Sequence, residues 1–287
     1  MRRNVVRYFC RLCSKSFSNS HRKNNQKEKI WEAYVWGKQT RKQLSKKYKK
    51  SSKTIERILD SYEIKKKKHN PRKLVVVMDA TYFKKENGIL VARDPNKKEN
   101  IYCCEIISET KIEYQKAKSE LEMLGYELQA IILDGKRGIP SVFKDIPVQL
   151  CQFHQWQVIR RKLTLKPKLK SHQELLLIAR KITKSTESEM KKFLEDFEKN
   201  FHEELNEKIE IIETKKWKYV HKNLRSAYKN LVRNLPFLYT HEKYPELNIP
   251  NTTNSLDGFF NILKMFINIH RGLKSKRRIK VIKELLK

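Results

Sequence analysis

The sequence predicts an α/β fold: a mixed sheet broken by an all-helical insertion, with a small helical domain ahead of it. Three observations lead there. Between residues 74 and 163, strand-like apolar runs alternate with segments of helical periodicity, the pattern of a layered sheet. Residues 171–247 are highly charged and read as helix almost throughout. Residues 28–62 hold short amphipathic stretches, each set off by a residue suited to capping or ending a helix. At 287 residues the chain can form one large domain, or a medium one with small appendages.

The N-terminal stretch YFCRLCSKSF (8–17) places Cys10 and Cys13 in a C-x2-C pair. The pair looks like one knuckle of a zinc ribbon. A structural zinc takes four ligands in a tetrahedron, and the partner pair is absent. Three readings fit residues 1–23. One is a partial zinc-ribbon remnant whose first knuckle is lost. Another is a makeshift Zn2+ site completed by His21 and a further residue. The last is a pair of reduced cysteines without metal.

Residues 24–64 predict three helices. Trp31 and Tyr34 lie on the first, which ends at Gly37. Thr40 caps the second, which buries Leu44 and Tyr48, with the small Ser45 where crossing helices approach. Ser51 or Ser52 caps the third, and Ile55, Ile58 and Leu59 recur on one face of it. Two short helices around a tight turn, with a Lys/Arg-rich outer face, make a helix-turn-helix pattern. Lys53, Thr54 and Arg57 then point to the major groove of DNA. The plainer reading is a small bundle with a solvated basic face. KKKKHNPRK (65–73) follows as a basic linker, solvated or brushing phosphates.

LVVVMDATYF (74–83), GILVARD (88–94) and NIYCCEIIS (100–108) read as three strands separated by turn residues. IEYQKAKSELEMLGY (112–126) is helical and stops at Gly125. LQAIILDGKRGI (128–139) is a buried strand, and VQLCQFHQWQVIRRKL (148–163) a strand leading into a helix. These elements make the first part of a core, residues 74–170. The helical insertion spans 171–247. Residues 248–287 supply a final helix and a basic tail.

Asp79 closes the apolar run of the first strand, and Asp134 that of the fourth. Acids at strand ends are exposed at the sheet rim, where loops form active sites. Either one alone could simply polarise a turn, and Asp134-Gly135 is a common turn pair. Asp257 stands where the helix after IPNTTNS begins. There a carboxylate also gains from the helix dipole.

Taken together, in this order of elements, the acids resemble those of an RNase H-like nuclease core. There the first- and fourth-strand acids lie side by side and a later helix brings a third. The stretches VVVMDATYF, IILDGKRGI, LCQFHQWQVIRRKLT, HKNLRSAYKNLVRNLPFLYT, IPNTTNSLDGFF and the HRGL segment with its following Arg pair extend the likeness. The chain resembles bacterial insertion-sequence transposases related to the Mutator-like group, over nearly its whole length. The resemblance implies a DDE-type site with Asp79 and Asp134 as the first two acids. Asp257 takes the place of the third, commonly Glu, and is one methylene shorter. On this likeness the first zinc knuckle is missing, and the chain is expected to begin late. Cys151 and His154 match a C-x2-H motif, as active-site support or as a packed Cys and a hydrogen-bonded His. His270 and Arg271 clamp phosphate or end a solvated helix.

The chemistry implied is metal-dependent. Adjacent carboxylates repel, and Mg2+ (or Mn2+) relieves that while keeping positions for water and phosphate oxygens. Two such ions about 3.5–4 Å apart activate a water or 3′-hydroxyl and stabilise the leaving oxygen. Composition points to the same partner. Lys+Arg 65 against Asp+Glu 32 gives a formal charge of +33, and double-stranded DNA relieves its self-repulsion. On the resemblance, that DNA is expected to comprise element ends and target, bound by a homodimer or larger assembly. A Lys-inflated composition is the plainer source of the charge. No run of about 18 apolar residues and no signal-peptide core appear, so no membrane partner is expected. The five cysteines form no secreted disulfide framework, which suits a reduced, cytoplasmic, nucleoid-associated setting. Two functions compete: an active transposase, and a transposase-derived DNA-binding protein whose nuclease site has decayed.

Overall fold

The computed structural model describes residues 7–18, 25–65, 67–83, 88–211, 215–270 and 272–287. By internal contacts the chain divides into two units. One holds Met1–Lys66 and Met265–Leu285, the other Lys67–Lys264 and Leu286–Lys287.

The first unit opens with an antiparallel hairpin, β1 (Arg7–Cys10) and β2 (Lys15–Ser18), with Cys10 opposite Lys15. Three helices follow: α1 (Asn25–Val35), α2 (Arg41–Tyr48) and α3 (Ser52–Ser61). Thr40 and Gln43 form a reciprocal capping box at α2. Of the two serines, Ser51 caps α3, accepting from the Thr54 N–H at 3.1 Å. Ile30, Trp31, Leu44, Ile55 and Leu59 are buried, while Tyr48 and Ile58 are half-buried. The Ser45 hydroxyl donates to the Lys50 carbonyl and closes the turn between α2 and α3.

In the second unit the sheet is mixed. Its strands are β3 (Lys73–Tyr82), β4 (Gly88–Asp94), β5 (Glu99–Ile106), β6 (Glu127–Leu133) and β7 (Val148–Leu150), with α4 (Lys111–Met123) between β5 and β6. Among the described residues the order is β5-β4-β3-β6-β7. The β3–β4 and β4–β5 pairs are antiparallel, whereas β3–β6 and β6–β7 run parallel. The antiparallel pairs join strands consecutive in the chain; the parallel β3–β6 pair needs the crossover through α4. Leu74, Val76 and Met78 face one apolar cluster that takes in Tyr114 and Leu121 of α4. By strand alternation Val75, Val77 and Asp79 face the other way. α5 (Gln152–Leu163) follows β7 directly.

The insertion is not all helical. α6 (Lys170–Arg180), α7 (Glu187–Asn200) and α8 (His202–Asn206) lead into an antiparallel pair, β8 (Lys208–Ile211) and β9 (Lys216–Tyr219). Each strand is only four residues long, too short for its period-2 alternation to stand out among the charges. Helices α9 (Lys222–Leu238) and α10 (Thr240–Lys243) complete the insertion. Leu175, Leu194, Leu224 and Leu231 join the same apolar cluster as the sheet, so insertion and sheet share one core.

α11 (Asn254–Ile269) carries Asp257 in its first turn. The basic tail expected after it is an ordered helix, α12 (Ser275–Leu285), with Val281 and Ile282 buried. It groups with the first unit, and so does the end of α11 from Met265. The linker is not simply solvated either. Arg72 pairs with Asp94 at 2.7 Å and Glu99 at 2.8 Å, and Lys67 with Glu99 at 2.9 Å. Among the described residues no helix is long and apolar enough to cross a membrane.

Candidate functional site

Strand register brings the first two acids together. β3 and β6 pair Val75 with Ala130, Val76 with Ile131 and Val77 with Ile132. Two residues further along each strand, on the same face, come Asp79 and Asp134. Neighbouring strands lie about 4.8 Å apart, so the two carboxylates are side by side. β6 and β7 pair Leu133 with Leu150, which puts Cys151 next in the row. Its N–H donates to the Leu133 carbonyl at 2.7 Å. Asp134 Oδ1 accepts from the Lys136 N–H at 2.9 Å, a side-chain turn that ends the strand.

Burial pushes the Asp79 carboxyl up to about 7, helped by the charges of Asp134 and Asp257 and opposed by the Ala80 N–H and His154. Ala80 N–H donates to Asp79 Oδ1 at 2.8 Å. A buried acid beside other acids fits a divalent cation, which replaces the lost hydration and offsets the repulsion.

A fourth carboxylate stands here that the sequence reading did not include. Glu109 follows β5 and offers an oxygen that lies, with one each from Asp79 and Asp134, in a group no more than 4.8 Å across. Tyr114 donates its hydroxyl to Glu109 Oε1 at 2.6 Å, and Lys136 Nζ donates to Oε2 at 3.2 Å. The signal was present: NIYCCEIISE is an apolar strand ending in an acid, the rule that singled out Asp79 and Asp134.

Asp257 is not in that group of three, yet its charge bears on both Asp79 and His154. Its Oδ2 accepts the Thr253 hydroxyl at 2.8 Å. The Thr253 N–H donates to Cys151 Sγ at 3.3 Å. Burial alone would raise the Cys151 thiol, but hydrogen bonds from His154 and Thr253 outweigh it and leave the thiol lowered. His154, bonded to Cys151 and facing Asp257 and Asp79, is pushed up to about 9 against the effect of burial. It therefore brings a positive charge to an otherwise acidic rim.

Protein-family models and curated proteins gave no match to this chain.

The remaining predicted residues that the structure describes lie in the first unit. Lys53 and Arg57 are exposed on α3. Thr54 is half-buried, and its Oγ1 lies 2.9 Å from Ser51 Oγ in the helix cap. Cys10 ends β1 and Cys13 lies in the β1–β2 turn. Hydrogen bonds from the Cys13 backbone and thiol and from the Leu12 backbone lower the Cys10 thiol. Among the described residues no further Cys, His, Asp or Glu gathers there into a metal-ligand group. His21 and Arg271 fall outside the described residues.

His270 does not fit a phosphate clamp or a solvated helix end. It is 6% exposed, and its ring lies 4.1 Å from that of Tyr34. Burial lowers its pKa, and a neutral, enclosed imidazole offers phosphate no charge. A cleft of about 370 Å3 in this unit is lined by Thr40, Arg41, Ser52 and His270 among others. None of the rim carboxylates lines it.

Proposed function

We propose that the protein is a DDE-type DNA transposase that binds element ends and performs metal-dependent strand cleavage and strand transfer. The observation that carries this reading is the adjacency of Asp79 and Asp134 on parallel neighbours of a mixed sheet, with Glu109 completing a group 4.8 Å across. The strand order β5-β4-β3-β6-β7 suits an RNase H-like core. α2 and α3, with their tight turn and the exposed Lys53 and Arg57, suit a helix-turn-helix reader. The β1–β2 hairpin with Cys10 and Cys13 suits one knuckle of a zinc ribbon.

Asp79, Asp134 and Glu109 would hold Mg2+ or Mn2+, with Asp257 alongside. A cation held by these carboxylates would supply Lewis-acid activation of a water or 3′-hydroxyl and charge stabilisation for the leaving oxygen. The protein's own part is positioning. The sheet register sets Asp79 beside Asp134, the segment after β5 brings Glu109, and the start of α11 adds the charge of Asp257. The charge of +33 draws in the phosphate backbone.

A second reading, a DNA-binding protein with a decayed nuclease site, is favoured by one observation. Asp257 stands outside the tight carboxylate group. The test is nicking of a plasmid that carries the gene with its flanking DNA, in Mg2+ or Mn2+. The transposase reading expects nicks at the element ends, abolished by Asp134→Asn and by Asp257→Asn with folding and DNA binding retained. Asp257→Glu should keep cleavage. Wild type that binds this DNA but does not nick it, with nicking restored by Asp257→Glu, would establish the decayed site.

A further inference from the structure

The carboxylate chemistry leaves Cys151, His154 and Thr253 without a stated task. Thr253 is 0% exposed. Its carbonyl accepts the N–H groups of Leu256 at 2.8 Å and Asp257 at 3.1 Å, which makes it the residue that starts α11. A threonine in that place ordinarily turns its hydroxyl oxygen to the N–H two or three residues on. Here Oγ1 donates instead to Asp257 Oδ2 at 2.8 Å. The same oxygen lies 3.3 Å from His154 Nδ1 and 3.4 Å from Cys151 Sγ.

A hydroxyl has one proton and two lone pairs. The 2.8 Å hydrogen bond to Asp257 Oδ2 takes that proton. Oγ1 is then an acceptor for a His154 Nδ1–H. The Thr253 N–H is separately tied to Cys151 Sγ. The threonine is thus held at its backbone by the cysteine and at its hydroxyl by the histidine, and it passes that constraint to one carboxylate oxygen.

We infer that Thr253 is a positioning residue: it fixes the orientation of the Asp257 carboxylate beside the Asp79–Asp134 pair, and Cys151 and His154 hold Thr253 in place for that task. The inference rests on the reading of this rim as a divalent-cation site. Partners behind a metal ligand orient it and commonly change ion affinity by about 10- to 100-fold when removed. Valine matches threonine in size but leaves Asp257 Oδ2 and His154 Nδ1 without the hydroxyl.

The experiment is direct titration of Mn2+ into the full chain, without DNA, for wild type, Thr253→Val and Thr253→Ser. Thermal melting without divalent ions checks that each variant folds. Thr253→Val should weaken Mn2+ binding by about 10-fold or more, and Thr253→Ser should bind within about 3-fold of wild type. Equal binding by wild type and Thr253→Val overturns the inference and leaves the transposase reading standing. Equal loss in Thr253→Ser and Thr253→Val overturns it too, because the methyl group and not the hydroxyl would then matter. Wild type that binds no Mn2+ overturns both. The expected Mn2+ pattern in a protein that nicks no DNA supports the inference and counts against the active transposase.

Discussion

The Lys136 ammonium sits against Glu109, 3.2 Å from Oε2 and 2.8 Å from the backbone carbonyl. A cation held by Glu109 must share that carboxylate with a lysine already bonded to it. Glu109→Gln should therefore weaken Mn2+ binding by about 10-fold or more. Lys136→Met should strengthen it, by no more than about 5-fold because Lys136 is partly exposed and screened. Titration calorimetry of the two variants reads both signs. Weaker binding in Lys136→Met would mean that the lysine organises the site and does not compete with the ion.

Asp79 makes stability depend on pH without divalent ions. Its folded pKa is raised from 3.8 to about 7. Between those values the folded state holds a proton that the unfolded state has lost. Stability therefore falls as pH rises through that window and stays low above it. Asp79→Asn removes the penalty, so the variant should melt higher than wild type at pH 8 in chelator and alike at pH 4. The upper bound on the gain is about 4 kcal/mol. Mg2+ should stabilise wild type and not the variant.

Arg277 is 3% exposed and donates to Asp60 at 2.8 Å through Nε and Nη2, and to Glu56 at 2.9 Å. Hydrogen bonds to Arg277 lower both carboxyl groups. A lowered acid stabilises above its unfolded pKa, and that stability is lost as pH falls through the folded value. Acid should loosen the first unit below about pH 4. Arg277→Met should melt lower at pH 7 and lose less between pH 6 and pH 3. Melts followed by circular dichroism across that range check the crossover.

DNA affinity should be mostly electrostatic, with sequence choice concentrated in residues 40–62. For about six phosphates neutralised, log K falls with log salt at a slope near about −5. Arg57→Ala should weaken preference for an element end more than it weakens general binding. A uniform loss across all sequences, measured by competition at fixed salt, would remove α3 as the reader.

How much of this was legible beforehand differs from residue to residue. Thr40 and Leu44 of α2, Ile55 and Leu59 of α3, and the strand runs around Val76 and Ile131 obey local rules, so their elements were readable. Asp79 and Asp134 were readable as rim acids because each follows buried aliphatics. Glu109 obeyed the same rule and was passed over. The β8–β9 hairpin was missed because four-residue strands leave little periodicity to detect.

Local chemistry along the chain settles which runs become helix or strand, where caps stop them, that acids end the apolar strands, and that the charge is +33. Which distant groups meet was set by packing and strand register. Asp79 neighbours Asp134 because the parallel register sets Val77 against Ile132. Thr253 finds Cys151 across 102 residues, and Arg277 finds Asp60 across 217. His270 turned inward because Tyr34 offered its ring a buried face. Periodicity and capping depend on neighbours within a turn or a strand. Long-range partners depend on register and packing, which no local pattern encodes.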